Sequence, residues 1–151
     1  MESMFRHILI PTDGSKLAAK GIKAGVKLAR TLGARVTGVY VVLPYMPPVY
    51  GEAAIYYAGY SAKEYKATVE KAAKKALAVV EIEAQTAGVP CATRIVPDAP
   101  PWAGILKAAR ARKCDAIVIA SHGRGGVGGL LLGSETQRVL SHSKIPVVVI
   151  R

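Results

Sequence analysis

Two short stretches of the 151-residue chain hold residue types that could do chemistry. The first is Pro11-Thr12-Asp13-Gly14-Ser15. The second runs from Ala120 through Ser121-His122-Gly123-Arg124 to Gly133-Ser134, with six glycines in the eleven residues from Gly123 to Gly133. Residues without a Cβ reach backbone conformations closed to others, so several N–H groups can converge on one phosphate. Gly133-Ser134 then opens a helix, whose free N–H groups and positive end add to such a site. A glycine-rich run can also be no more than a turn, and its place between an apolar strand and a helix favours the phosphate reading. Asp13 is the only acid between Glu2 and Glu52. It could accept from a ribose hydroxyl or meet a metal; the alternative is an acid interacting with a helix start.

Two common phosphate motifs fail here. Gly123-Arg124-Gly125-Gly126-Val127-Gly128 satisfies G-x-G-x-x-G, yet no helix follows at once and no ribose-binding acid stands about twenty residues on. Gly128 to Ser134 lacks the lysine of a P-loop. Enzyme signatures are equally thin. His7 falls in a buried-strand pattern, His142 near a helix end, and His122 in the glycine stretch, where it could line a nucleotide site. None stands at a catalytic or zinc-ligand spacing from a partner, and no G-x-S-x-G elbow exists. No catalytic residue is assigned, and any hydrolysis would be slow positioning chemistry. Cys91 and Cys114 form no CxxC pair and are expected as reduced, buried thiols.

The elements that must carry these stretches follow from periodicity. His7 to Pro11 is a short apolar strand. Small or apolar residues at Ala18, Ile22, Gly25, Ala29 and Leu32 alternate with Lys16, Lys20, Lys23, Lys27 and Arg30, a helix capped by Ser15 and ended by Gly33. Arg35 to Val42 reads as a strand. Ser61-Ala62-Lys63-Glu64 has the form of a capping box for a long helix to Ala87. Cys91 to Val96 is a strand, Pro100-Pro101 opens a helix reaching about Lys113, and Ala116 to Ala120 is an apolar strand. A helix over Ser134 to His142 and a strand over Pro146 to Ile150 close the chain. This alternation predicts an α/β fold, one domain over residues 1–151, with a five-stranded mainly parallel sheet in the order 3-2-1-4-5 and helices on both faces. Ligands in such sheets settle at the carboxyl ends of strands where the winding reverses, between strands one and four. Both chemical stretches begin there.

Over essentially its whole length the chain resembles the universal stress protein family. The resemblance rests on Ile8-Leu9-Ile10-Pro11-Thr12-Asp13-Gly14-Ser15, on Asp115 to Arg124, and on Leu132-Gly133-Ser134 with Val139-Leu140 and Ile145 to Val149. ATP-binding members carry G-x2-G-x9-G-[ST]; here Gly123, Gly133 and Ser134 match, and Ala120 replaces the first glycine. The resemblance implies a Rossmann-like sheet and an ATP site, with Mg2+ held mainly by the phosphates, in a nucleotide-dependent stress-response module; the alternative is a stress-response dimer that does not bind ATP and acts through protein partners. Pro11, Thr12 and Asp13 would lie on the ribose or adenine side, and Val41 would give backbone contacts to the adenine. Ala120, Ser121, His122, Gly123 and Arg124, with Gly133, Ser134, Glu135 and Thr136, would hold ribose and phosphates. It also implies a homodimer through the terminal strand, Val147 to Ile150. Ala120 would be tolerated in ordinary strand geometry and costly at positive φ.

Composition bounds the rest. Lys plus Arg number 21 against 10 Asp plus Glu, a net charge of +11, while 51% hydrophobic residues suffice for a core and argue against disorder. The basic residues recur at helical spacing without interleaved aromatics, as on a solvated face, so nucleic-acid binding is the weaker reading. No spanning segment or secretory signal is apparent, and a cytoplasmic protein is expected. All seven tyrosines lie between Tyr40 and Tyr65. The Tyr- and Pro-rich stretch 43–60 reads as an ordered loop that packs on its own domain or a partner copy, covers the nucleotide, or docks another protein.

Overall fold

A computed structural model describes residues 2–46, 61–97, 99–123 and 132–151. Five strands, β1 (His7–Pro11), β2 (Arg35–Val41), β3 (Cys91–Val96), β4 (Ala116–Ala120) and β5 (Val147–Ile150), form one sheet in the order β3-β2-β1-β4-β5. Every pairing is parallel. The four described helices are α1 (Lys16–Leu32), α2 (Ala62–Ala87), α3 (Pro101–Ala111) and α4 (Ser134–His142).

Alternation along the strands divides the core into two layers. Ile8, Ile10, Val36, Ala116 and Val118 pack with Ile22, Val26 and Ala29 of α1 and Val80 and Ala84 of α2. Leu9, Val39, Ile117 and Ile119 face the other way, onto Ile105, Ala108 and Ala109 of α3 and Val139 of α4. Both faces of the central strands are therefore apolar, which explains why β1 and β4 read as unbroken hydrophobic runs.

The helix boundaries follow from their caps. Ser15 Oγ accepts from Ala18 N–H at 3.1 Å, and the Ser61–Glu64 capping box is reciprocal at 3.1 and 3.0 Å. Gly33, at φ 66°, ends α1 in the left-handed conformation, with Ala34 N–H donating back to Ala29 O at 2.8 Å. The α3 helix stops at Ala111, two residues short of the expected end. Lys113 takes φ 54°, and Cys114 N–H donates to Ala109 O at 2.9 Å, so a lysine does what glycine usually does at a helix end. Likewise β2 ends at Val41 and β5 begins at Val147, each one residue inside the expected limit.

His7 is 5% exposed and pairs through Nε2 with Thr37 Oγ1 at 2.7 Å, a structural place consistent with its strand position. Burial lowers its pKa from 6.5, with repulsion from Arg35 and Arg112 partly opposed by Asp115. The Asp115 carboxylate takes the backbone N–H groups of Arg6 and His7 at 2.8 and 3.0 Å, tying the start of β4 to β1. Cys91 and Cys114 are free thiols, Cys114 buried as expected and Cys91 only half-buried on the edge strand β3; burial, with a smaller contribution from Asp115, pushes Cys114 up to about 11. No described helix is long and apolar enough to cross a membrane.

Candidate functional site

At the carboxyl end of β1 the chain turns sharply into α1. Gly14 sits at φ 81°, a conformation that favours glycine, and the turn is held from both sides. Thr12 Oγ1 accepts from Gly14 N–H at 3.1 Å, and Asp13 Oδ1 accepts from Ser15 N–H at 2.9 Å. The second carboxylate oxygen of Asp13 lies against Gly123, in the space that a Cβ there would occupy. Glycine at 123 therefore lets the carboxylate at the end of β1 reach the loop leaving β4. The two chemical stretches meet where the sheet reverses.

The loop after β4 is closed by main-chain and side-chain bonds. Gly133 N–H donates to Ser121 O at 2.8 Å, and the Thr136 hydroxyl donates to Ala120 O at 2.9 Å. A Cβ at Gly133 would stand 3.2 Å from Ser121 O and 3.3 Å from His122 Cα, so this glycine serves close approach rather than positive φ. Because Gln137 N–H donates to Gly133 O at 3.0 Å, the first helical bond of α4 leaves the N–H groups of Ser134, Glu135 and Thr136 without intrahelical acceptors. These three donors, rather than Gly133, form the positive end that a phosphate would meet.

The opposite end of the site is set by strand parity. Val39 O accepts from Thr12 N–H at 2.9 Å on the β1 side, whereas Val42 N–H donates to Val96 O at 2.8 Å on the β3 side. Odd-numbered residues of β2 therefore point their peptide groups toward β1. The last β1 partner is Pro11, opposite Val39, so two residues farther on the peptide edge of Val41 has no strand beside it. Its side chain turns down onto α3, where Gly104 leaves room for both methyls.

Between these ends lies a cavity of about 680 Å³. Pro11, Thr12, Asp13, Val41, Ala120, His122, Gly123, Gly133, Ser134, Glu135 and Thr136 all border it, so eleven of the thirteen residues singled out from sequence come together. Ser121 is 4% exposed and stands behind the wall, with its Oγ 3.0 Å from His122 Nδ1. Arg124, the rest of 124–131, and 47–60 of the tyrosine-rich stretch lie outside the described residues. Ala120 has strand geometry, and its methyl lies on the α1 side against Gly21, where a Cβ would come within 3.5 Å of it.

Glu135 takes a different direction from the one expected of a phosphate-site residue. Its Oε2 accepts from Trp102 N–H at 2.9 Å, at the start of α3. The cavity also has an apolar wall that sequence reasoning missed: Tyr65 and Val69 of α2, and Pro101 and Ile105 of α3. The Tyr65 hydroxyl donates to Leu43 O at 2.8 Å, and its ring lies 5.4 Å from that of Tyr45. The capping box at Ser61 fixed the phase of α2, but nothing local showed that this face meets the end of β2.

Among the described lining residues the acids are Asp13 and Glu135, and none is Lys or Arg. No group of three or more His, Cys, Asp or Glu among the described residues could hold a metal ion. The arrangement can offer peptide donors and acceptors, an apolar wall and one carboxylate at the strand ends.

Comparison with known proteins agrees with this geometry. Residues 4–151 match the family model described as the universal stress protein family. A universal stress protein of Thermus aquaticus is 33% identical over 149 residues, covering 98% of this chain and all of the relative. One from Methanocaldococcus jannaschii is 29% identical, covering 99% of this chain and 84% of the relative. Among solved structures, the universal stress protein UspA from Lactobacillus plantarum superposes with a TM-score of 0.77 at 24% identity, covering 97% of each chain, an agreement of fold. With a reversing parallel sheet, the matched glycine spacing and a family model that spans nearly every residue, the chain belongs to the universal stress protein family.

Proposed function

We propose that the cavity binds an adenine nucleotide, ATP accompanied by Mg2+, and that the protein acts as a nucleotide-dependent stress-response module. The observation that carries this reading is the pairing of two unlike ends across one cavity. The peptide edge of Val41 offers a donor and an acceptor to a base, as the edge of a neighbouring strand would. The N–H groups of Ser134, Glu135 and Thr136 suit phosphate oxygens. Between them, Asp13 stands where a ribose would lie and can accept from its hydroxyls. The apolar wall from Tyr65, Val69 and Ile105 suits a flat aromatic base.

Charge supports a metal carried by the ligand. A triphosphate would face the Asp13 carboxylate with no Lys or Arg among the described lining residues, so Mg2+ on the phosphates would relieve the repulsion. Two solved proteins of this fold are complexes with cAMP and with dAMP, at 22% and 18% identity. At that distance they speak for the fold, and the nucleotide assignment rests on the cavity. Calorimetric titration with Mg-ATP tests it. Saturable heat with Kd below about 1 mM is expected, and no heat at millimolar ligand would overturn the reading.

Homodimerisation through β5 belongs to the same proposal. The strand Val147–Ile150 is aliphatic and half-buried, and it lies at an edge of the sheet. Ile117 N–H and Ser121 N–H donate to Pro146 O and Ile150 O, so the peptide groups of Val147 and Val149 point outward, as a second copy would need.

A further inference from the structure

The direction of Glu135 gives the site an internal tie. Helix α3 opens on Pro100, which makes no side-chain cap, and Pro101, which has no N–H. Gly104 N–H makes the first helical bond to Pro100 O at 3.0 Å, leaving Trp102 and Ala103 as the free donors of the first turn. Glu135 supplies the missing acceptor from another helix, 33 residues away in sequence, with a carboxylate that also suits the positive end of α3. Glu135, Val139 and His142 share one face of α4, at steps of four and three. All three meet the α3 layer. Val139 is fully buried in the core that includes Trp102, and the His142 ring lies 4.6 Å from the indole. His142 is itself oriented by Nδ1–H donating to Arg138 O at 2.9 Å. Trp102 is thus gripped near both ends of α4.

The two helices so joined carry opposite ends of the cavity. Pro101 and Ile105 of α3 form the apolar wall, and Gly104 seats Val41, while α4 presents the free N–H groups of Ser134 to Thr136. We propose that Glu135 is a positioning residue and not a ligand: its bond to Trp102 N–H sets the phosphate end against the base end, so that filling the cavity is registered at Trp102. This rests on the adenine-nucleotide reading above. The same bond keeps a negative charge on the first turn of α4 turned away from phosphate oxygens. A carboxylate free to swing toward them would oppose binding.

Trp102 is the only tryptophan in the chain, so its emission reports this junction alone. The test compares wild type, Glu135→Ala and Glu135→Gln by tryptophan emission, melting temperature, and titration with AMP and with adenosine. AMP should change the wild-type emission. Glu135→Ala should alter the ligand-free emission, lower the melting temperature and weaken AMP roughly fivefold, the size of a lost helix cap, while adenosine, which uses one end only, changes less than about twofold. Glu135→Gln keeps an oxygen for Trp102 N–H and should restore AMP binding to within about twofold of wild type. The other Glu135 oxygen lies 3.8 Å from the Arg138 guanidinium, so equal losses in Gln and Ala would assign the effect to the charge, on Arg138 or on the ligand, and not to the bond with Trp102, and would overturn the proposal, as would a Glu135→Ala protein indistinguishable from wild type. If wild type takes up neither AMP nor adenosine, the nucleotide reading has failed. The tie is then judged on the ligand-free protein: a changed emission and melting temperature in Ala but not in Gln upholds it, and unchanged values in Ala overturn it.

Discussion

Replacing Gly104 with alanine should destabilise the protein even though alanine is the better helix former. A Cβ at this position would stand 2.6 Å from Val41 Cγ1 and 2.7 Å from Cγ2. Carbon atoms in good contact lie about 3.5–4.0 Å apart, so the new methyl overlaps two groups by about 1 Å each. Val41 cannot escape by a small rotation, because its χ1 is stiff and both branches are blocked. Either α3 or the end of β2 must shift. Overpacking of this kind costs about 1–3 kcal/mol, and the helix-propensity gain of Gly→Ala returns about 1 kcal/mol. The expected net loss is therefore about 1 kcal/mol, with a ceiling near 2 kcal/mol. For a chain of this length that lowers Tm by roughly 2–8 °C. Urea unfolding followed by far-ultraviolet circular dichroism measures the difference. The double variant Gly104→Ala, Val41→Ala should recover at least about 1 kcal/mol relative to additivity, since the second change removes the obstructing methyls. A Gly104→Ala protein as stable as wild type, or strict additivity in the double variant, would refute the packing argument.

Three further outcomes follow from particular residues. Ala120→Gly restores the family spacing but should lower stability by about 1 kcal/mol, through a lost buried methyl and a freer strand, and leave nucleotide affinity within about twofold of wild type; a large gain in affinity would show that the methyl obstructs the ligand. His7 has a depressed folded-state pKa, so its neutral form is the stabilising one: that contribution is complete above about pH 6.5 and is lost as pH falls from 6.5 toward the folded value. His7→Gln should flatten this fall, measured as urea midpoints between about pH 7.5 and pH 5, and an unchanged slope would assign the effect elsewhere. Val149→Pro removes an outward N–H from β5, and light scattering should find a monomer where wild type is a dimer, with far-ultraviolet spectra alike; a persisting dimer would place the interface elsewhere.

Local chemistry made most of the fold legible. Ser15 with Gly33, and Ser61 with Glu64 and Gly88, marked the limits of α1 and α2 because caps satisfy backbone groups within a few residues. The chemical stretches were legible for a related reason: glycine at 14 answers to its own turn, and a glycine run between a strand and a helix has few uses. What stayed hidden depends on tertiary contact. Lys113 ends α3 at positive φ, which its residue type does not signal. Glu135 resembles a phosphate-site residue because it opens α4, yet its direction depends on two prolines that leave the N–H of Trp102, 33 residues earlier, without a local cap. Tyr65 lines the cavity only because α2 crosses the end of β2. The Ala120 methyl is accommodated because Gly21, on another element, faces it.

In the proposed mode of binding, one cavity reads a base at Val41 and phosphate at the start of α4. A crystal structure of the protein grown with Mg-ATP tests it most directly. The adenine edge should lie on the peptide of Val41, the ribose beside Asp13, and phosphate oxygens within hydrogen-bond distance of the Ser134, Glu135 and Thr136 N–H groups, with Glu135 still on Trp102. A nucleotide bound away from the ends of β1 and β4, or one reversed so that its phosphates lie at Val41, would contradict it.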